Sequence, residues 1–272
     1  MTLLINTPDS HPDFPSRKRW VPTRNVSRPG RYLKPLLLLL LLVSLIGGTA
    51  PVALGQKVIE RKEPLAPGQR VVLNLRPASN ITIRPGRGQE ITLRATVQIN
   101  QGKLNEALQV LVEHTAEEVR LTTRYDENLI RNGQAADCPA GTPATTLCCG
   151  GTEKEVSYTL CSDINYEITV PATAALQVRT IRGNITATGL TGSVQAKSIQ
   201  GFVSVDWAPA QAATVTLRTF KGQVHNDHAL AEVVPRKPAS SSAFILRGTL
   251  QGGGPAVRLE SNEGDVFFRR RK

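Results

Sequence analysis

The chain has 272 residues and a formal charge of +11, most of it placed at the two ends. Residues 1–55 carry seven basic and two acidic groups and Arg269–Lys272 supply four more, so the body between is close to neutral. That distribution argues against nucleic acid as a partner, and abundant Val, Ile, Thr and Gly without long helical periodicity argue against a helical protein.

Residues 1–34 are rich in Pro, Ser and Arg with no apolar period, the composition of a disordered basic extension. Residues 35–55, PLLLLLLLVSLIGGTAPVALG, follow Arg28, Arg31 and Lys34 and end with Ala53 and Gly55 at positions −3 and −1 before Gln56. Charged, apolar and small-residue segments in that order predict a secretory signal peptide cleaved between Gly55 and Gln56. Counted through to Gly55, the segment just reaches the ~20 residues a span requires, so an uncleaved inner-membrane anchor is the alternative. Either way the rest of the chain is exported, to the periplasm, the cell surface or the medium. Met1 is the sole methionine, and a start at a non-ATG codon such as that of Val26 would give a signal of ordinary length.

The exported part, 56–272, is long enough for a core that needs no disulfides. Strand alternation runs through Arg70–Arg76, Asn80–Arg84 and Glu90–Ile99, with a turn at Pro85, Gly86 and Gly88. Leu104–Val112 reads as a short helix, and its tail, Gln109–Glu113, equally as a strand. Val119–Tyr125 alternates again. Residues 56–125 thus form an N-terminal β part, followed by a cysteine-bearing loop at 126–161 full of Gly, Pro and Asn-Gly. Strand character resumes at Val156–Cys161, the end of that segment, and at Ile164–Val170, the start of a repeat-bearing part, 162–272.

There, from Thr180 to Asp206, the units TIRGNITAT, GLTGSVQAK and SIQGFVSVD succeed one another at a nine-residue step. TFKGQVHND at 219–227 and SNEGDVFFR at 261–269 carry the same phrase, and one more strand is expected near Phe244–Leu250. Each unit has an apolar residue at position 2, Gly at 4 and a β-branched residue at 6 in the three consecutive copies. Nine is odd, so a corner must reset the facing in each unit, and Thr188-Gly189 and Lys197-Ser198 are small or polar enough to turn. Inward Ile185, Val194 and Val203 then stack as a ladder, and Gly at position 4 marks a kink or a close backbone approach. The fold expected is all-β, a single parallel β-solenoid of short Gly-x-Val-x-Val rungs behind the signal or anchor segment.

YEITVP at Tyr166–Pro171 and LQVRTIRGNITATGLTGSVQAKSIQGFVSVD at Leu176–Asp206 resemble a bacterial family of exported, adhesin-like β-solenoid domains of unknown function. ASNITI near Ile81 and NEGDVFF near Val266 extend the resemblance over most of 70–269. It implies a parallel solenoid in the envelope or at the surface and no activity; the cysteine loop departs from the pattern.

Cys138, Cys148, Cys149 and Cys161 form an even set in an exported chain, which reads as two disulfides. Adjacent Cα atoms lie about 3.8 Å apart, so a 148–149 bond would be strained. The pairings left are 138–148 with 149–161 and 138–149 with 148–161. Zinc is the sharper alternative but lacks Cys-x-x-Cys pairs. His225, Asp227 and His228 read as turn residues rather than ligands, and the place of the Asp in calcium-binding Gly repeats is held by Ile185, Val194, Val203, Val224 and Val266. No Asp or Glu occurs from 172 to 205 and Asp206 is the first, so no paired carboxylates, and no cofactor, are expected. Phe202, Phe267 and Phe268 read first as packing and second as a sticky face. The function expected is a non-catalytic, adhesin-like module binding a polymer or surface protein through a strand face, or a membrane-anchored scaffold or sensory ectodomain; a carbohydrate-active enzyme ranks behind both. Arg269, Arg270, Arg271 and Lys272 offer a contact for anionic polymer or lipid, or else form a frayed, solvated tail.

Overall fold

The structure, a computed structural model, describes residues 55–149, 156–236 and 243–271; the signal or anchor segment, apart from Gly55, lies outside them. Among the described residues no helix is long and apolar enough to cross a membrane.

Period-two alternation of apolar residues sets the elements, as one buried face per strand requires. In chain order they are β1 (Lys57–Pro64), β2 (Arg70–Leu75), β3 (Asn80–Gly86) and β4 (Glu90–Ile99), two single 3-10 turns, then β5 (Leu108–His114) and β6 (Glu118–Tyr125). A one-turn helix α1 (Glu127–Ile130), capped by the Asp126 carboxylate, leads to β7 (Ala144–Cys149) and the long β8 (Val156–Pro171). Next come β9 (Leu176–Arg182), β10 (Asn184–Thr188), β11 (Val194–Gln200), β12 (Val203–Trp207), β13 (Ala213–Thr219) and β14 (Val224–Asn226). The last are β15 (Ala231–Arg236), β16 (Phe244–Leu250), β17 (Ala256–Ser261) and β18 (Val266–Arg270).

These strands form two sheets around one core, in which Trp207, Tyr166 and Phe268 are the largest fully buried side chains. Sheet A runs β1-β4-β8-β3-β10-β12-β18-β14, with β7 hairpinned onto β8; sheet B runs β15-β16-β13-β17-β11-β9-β2-β6-β5. The protein is all-β, but a parallel β-solenoid is not its architecture. Antiparallel pairs flank the parallel centre of sheet B on both sides and of sheet A on one. Nor is the parallel centre sequential, because β17 and β18 insert between β11 and β13 and between β12 and β14.

The nine-residue repeat has a different meaning from the one expected. Successive units enter opposite sheets, so the in-register step is eighteen: Val194 pairs with Leu176 in sheet B, and Val203 with Ile185 in sheet A. The apolar ladder of sheet A is Ile81, Ile185, Val203, Val266 and Val224, while Val194 lies in the other sheet beside Val257. Lys197 and Ser198 are mid-strand rather than at a corner. The turn expected at Thr188-Gly189 is present, Gly189 at φ +71° opening the connection from β10 to β11, and the other corners fall at position-4 glycines, Gly183 between β9 and β10 and Gly201 between β11 and β12.

Those corners stack at close quarters. A Cβ at Gly201 would lie 2.4 Å from the Gly183 carbonyl oxygen, and one at Gly264 would lie 2.4 Å from that of Gly201. The strand before each corner supplies a buried hydroxyl to the next rung: Ser198 Oγ donates to Gly183 O, Ser261 Oγ to Gly201 O and Thr219 Oγ1 to Gly264 O, each at 2.8 Å. The expected close backbone approach is therefore present, with its carbonyls satisfied from inside the core.

The expected helix at Leu104–Val112 is a 3-10 turn followed by β5; the strand reading of its tail holds because Val110 and Val112 pack on the core. Val156–Cys161 and Ile164–Val170 are one continuous strand. The cysteine loop holds an unanticipated strand, β7, paired antiparallel with β8. Neither expected disulfide pairing forms across it: Cys138 bonds Cys161, with Cα atoms 5.6 Å apart. Both candidate schemes required all four cysteines to pair without a 148–149 bond, which ruled out 138–161; Cys161 lies on β8, and the bond ties the 3-10 turn after α1 to the sheet. Of the basic cluster, Arg269–Arg271 are not frayed, since Arg269 and Arg270 belong to β18 inside sheet A and Arg271 N donates to Trp207 O at 2.9 Å; Lys272 lies outside the described residues.

Candidate functional site

The outer face of sheet B collects cations because polar positions alternate with core positions along each strand. Beside buried Val178, Ala196 and Leu259 stand outward Gln177 and Arg179 on β9, Gln195 and Lys197 on β11, and Arg258 and Glu260 on β17. Cross-strand register places Arg179 beside Lys197, and Lys197 beside Glu260. Arg76, just past β2, completes a groove of about 410 Å³ over these strands, with Ile199 also in its lining.

Two carboxylates organise the basic groups. Glu260 accepts from Arg258 Nε and Nη2 at 2.8 and 2.5 Å, and Lys197 Nζ lies 3.2 Å from it. Burial by itself pushes the Glu260 carboxyl up, but hydrogen bonds from Arg258 and Lys197, with their charges, outweigh it and hold the group below its usual 4.5. On β6, Glu118 accepts from Arg70 Nε at 2.6 Å and also from Arg120; the Arg70 bond is the main cause of its lowered pKa. No carboxylate lies within ion-pair distance of Arg76 or Arg179 among the described residues. Gln177, its amide oxygen turned toward Arg179, accepts from that guanidinium's Nε and Nη2 at 3.1 Å and fixes its direction. The groove therefore sets four cations against one carboxylate on a rigid sheet, Lys197 and Arg258 ion-paired with Glu260 and Arg76 and Arg179 without an ion-pair partner among the described residues.

The outer face of sheet A differs. Phe267 is stacked on His225 at 4.6 Å, met edge-on by Phe202 at 6.0 Å, and covered by the Arg269 guanidinium. Phe268 is core, packed on Trp207 and His228. Packing thus accounts for Phe268, whereas Phe202 and Phe267 lie on the surface. Asp206 pairs in register with Arg269. His225 and His228 sit on opposite faces of the sheet: His228 is buried, its Nε2 3.1 Å from Arg269 O, and His225 lies 3.7 Å from Asp265. Among the described residues no group of three His, Cys, Asp or Glu side chains is placed to hold a metal ion.

Gly55 and Gln56 lie immediately before β1, and Asn105 Nδ2 donates to Gly55 O at 3.0 Å. The expected cleavage point thus coincides with the start of the sheet. The groove was missed in the sequence, where Arg76, Gln177, Arg179, Gln195, Lys197, Arg258 and Glu260 are scattered over more than 180 residues. The outward positions of the nine-residue units were the one signal that could have found part of it.

No protein-family model matches this chain, and no curated protein matches it. Two solved structures have a related outline. One is a "putative cell adhesion protein" from Clostridium sporogenes, 10% identical, with 79% of this chain and 100% of that chain covered at a TM-score of 0.44. The other is a "putative adhesin" from Bacteroides fragilis, 9% identical, with 78% and 97% covered at a TM-score of 0.21. Neither likeness is close enough to fix a fold or a function.

Proposed function

We propose that the protein is a non-catalytic, exported module of the cell envelope or surface that holds a polymer on the outer face of sheet B. The observation that carries this reading is the groove over β9, β11 and β17, completed by Arg76 just past β2, in which neither the Arg76 nor the Arg179 guanidinium has an ion-pair partner among the described residues. Export is supported by the signal-like segment 35–55 and by the Cys138–Cys161 disulfide, a bond that persists in oxidising compartments. A binding rather than catalytic role is supported by the state of Glu260. Tied to Arg258 and Lys197 and held ionised, it is not poised to exchange a proton near neutral pH.

A second reading, an ectodomain still joined to its apolar segment, is favoured by the Asn105–Gly55 hydrogen bond, which cleavage before Gln56 would remove. The test is co-sedimentation of the protein as exported with its host's envelope fraction, wild type against Arg179→Glu. Pelleting of wild type that the substitution abolishes is the expected result. Equal pelleting of both, or of neither, would overturn the reading.

A further inference from the structure

The lining of the groove is not purely cationic, and the mixture narrows the ligand. Ile199, in the lining, and Ile181, the residue after Thr180 on β9, are 36% and 44% exposed; such apolar exposure on an otherwise polar face invites an apolar contact. Gln195 adds an amide that can both donate and accept, and Gln177, its oxygen turned to Arg179, adds an amide donor. The cations divide by function: Lys197 and Arg258 share the single charge of Glu260, while Arg76 and Arg179, with no carboxylate in ion-pair distance among the described residues, are available to an external anion.

An inorganic polyanion uses only the last of these features. A sugar chain uses all three, since its rings have C–H faces, hydroxyls and, where acidic, carboxylates. This face already holds carboxylates in that manner, through both Nε and Nη2 of Arg258 on Glu260. The groove crosses three adjacent strands, β17, β11 and β9, and reaches Arg76 at the end of the next, β2, about 14 Å in all at the usual strand spacing. A trough of that length over a rigid sheet suits a chain lying across the strands, whereas a planar lipid surface would bridge its rim.

We propose that the groove binds an acidic polysaccharide, with ring faces on Ile199 and Ile181, hydroxyls on Gln177 and Gln195, and carboxylates on Arg76 and Arg179. This rests on the reading that sheet B is the polymer-holding face.

The test measures binding of the exported protein to polygalacturonate, uncharged dextran, polyphosphate and anionic phospholipid vesicles, for wild type and for Arg76→Gln with Arg179→Gln. Near-UV circular dichroism from Trp207, in the core, verifies that the variant is folded. Wild type is expected to prefer polygalacturonate and to ignore dextran. Each lost contact removes about 0.7 from the slope of log affinity against log salt, as for single-stranded polyanions. Between 50 and 200 mM salt, wild-type affinity should therefore fall about sevenfold further than that of the double variant. Binding of polyphosphate or vesicles as tight as of polygalacturonate would overturn the assignment, as would an unchanged salt slope in the variant. Failure to bind polygalacturonate while envelope pelleting persists would overturn this inference and leave the polymer-holding reading standing. Failure of both measurements would overturn both.

Discussion

Gly201→Ala isolates what the glycine corners do. Gly201 has φ +136°, a conformation L side chains rarely adopt, and a new Cβ would sit 2.4 Å from the carbonyl oxygen of Gly183 on the neighbouring rung. The obstructing atom is backbone, so no rotamer change relieves it. The strained conformation costs about 1–3 kcal/mol, and forcing a methyl into a packed site about 1–3 kcal/mol more. Together these cost about 2–6 kcal/mol, and the shift also threatens the Ser261 Oγ bond to Gly201 O. Gly68→Ala is the control. It shares a positive φ, +86°, but a Cβ there meets nothing within 4 Å, so only the conformational cost of about 1–2 kcal/mol applies. Urea unfolding followed by circular dichroism should give a much larger fall in midpoint for Gly201→Ala at unchanged slope. By heat, the losses should be roughly 10 °C and roughly 3 °C. Equal shifts for the two variants would refute the argument, because the stacked corner would then contribute nothing beyond its backbone angle.

Acid should weaken the protein through its tethered carboxylates. Glu260, Glu118 and Asp137 all have lowered pKa values in the folded state, so the stability they contribute is full above about pH 4.5 and is lost as pH falls through their folded values. The urea midpoint should therefore hold from pH 7 to about 4.5 and drop below it, with a shallower drop in Glu260→Gln. Replacing Cys138 and Cys161 together by Ser should cost about 3 kcal/mol, the chain-entropy value for a loop closed over 23 residues, read as a lower urea midpoint. Phe268→Ala should cost about 3–5 kcal/mol because the ring is fully buried on Trp207 and His228. Phe202→Ser, at an exposed position, should shift the thermal midpoint by no more than a degree or two.

The strands were legible because each buries one face. Glu90–Ile99 was placed to the residue, Arg70–Arg76 and Asn80–Arg84 nearly so, and a strand lies where one was expected near Phe244–Leu250. Their connection was not. A nine-residue repeat states that strands recur but not whether neighbours in sequence are neighbours in space; here a corner carries each unit into the other sheet, and hydrogen-bonded partners lie eighteen residues apart. Insertion of β17 between β11 and β13 left no local signal, since Val257 and Leu259 alternate like any inner strand. The disulfide was hidden for a similar reason: Cys161 follows directly on Leu160 in a strand, and its distance from Cys138 depends on how α1 folds the chain back. The groove shows the same limit, because Arg76 and Arg258 become neighbours only through sheet order.

The corner ladder and the groove belong to one argument. Arg179 and Lys197 stand on β9 and β11, the strands that run directly into Gly183 and Gly201. Hydroxyls at Ser198 and Ser261 fasten each corner to the adjacent rung, fixing strand separation and register at that end of the sheet. A face whose cations are held at fixed spacing loses little entropy when a repeating polymer binds. Damage to the corner should then reach the groove without touching it. Gly201→Ala, assayed well below its melting temperature, should weaken polygalacturonate binding, while Gly68→Ala, where a new Cβ would meet nothing within 4 Å, leaves it unchanged. Undiminished binding by folded Gly201→Ala would mean that the groove does not depend on the register the glycines maintain.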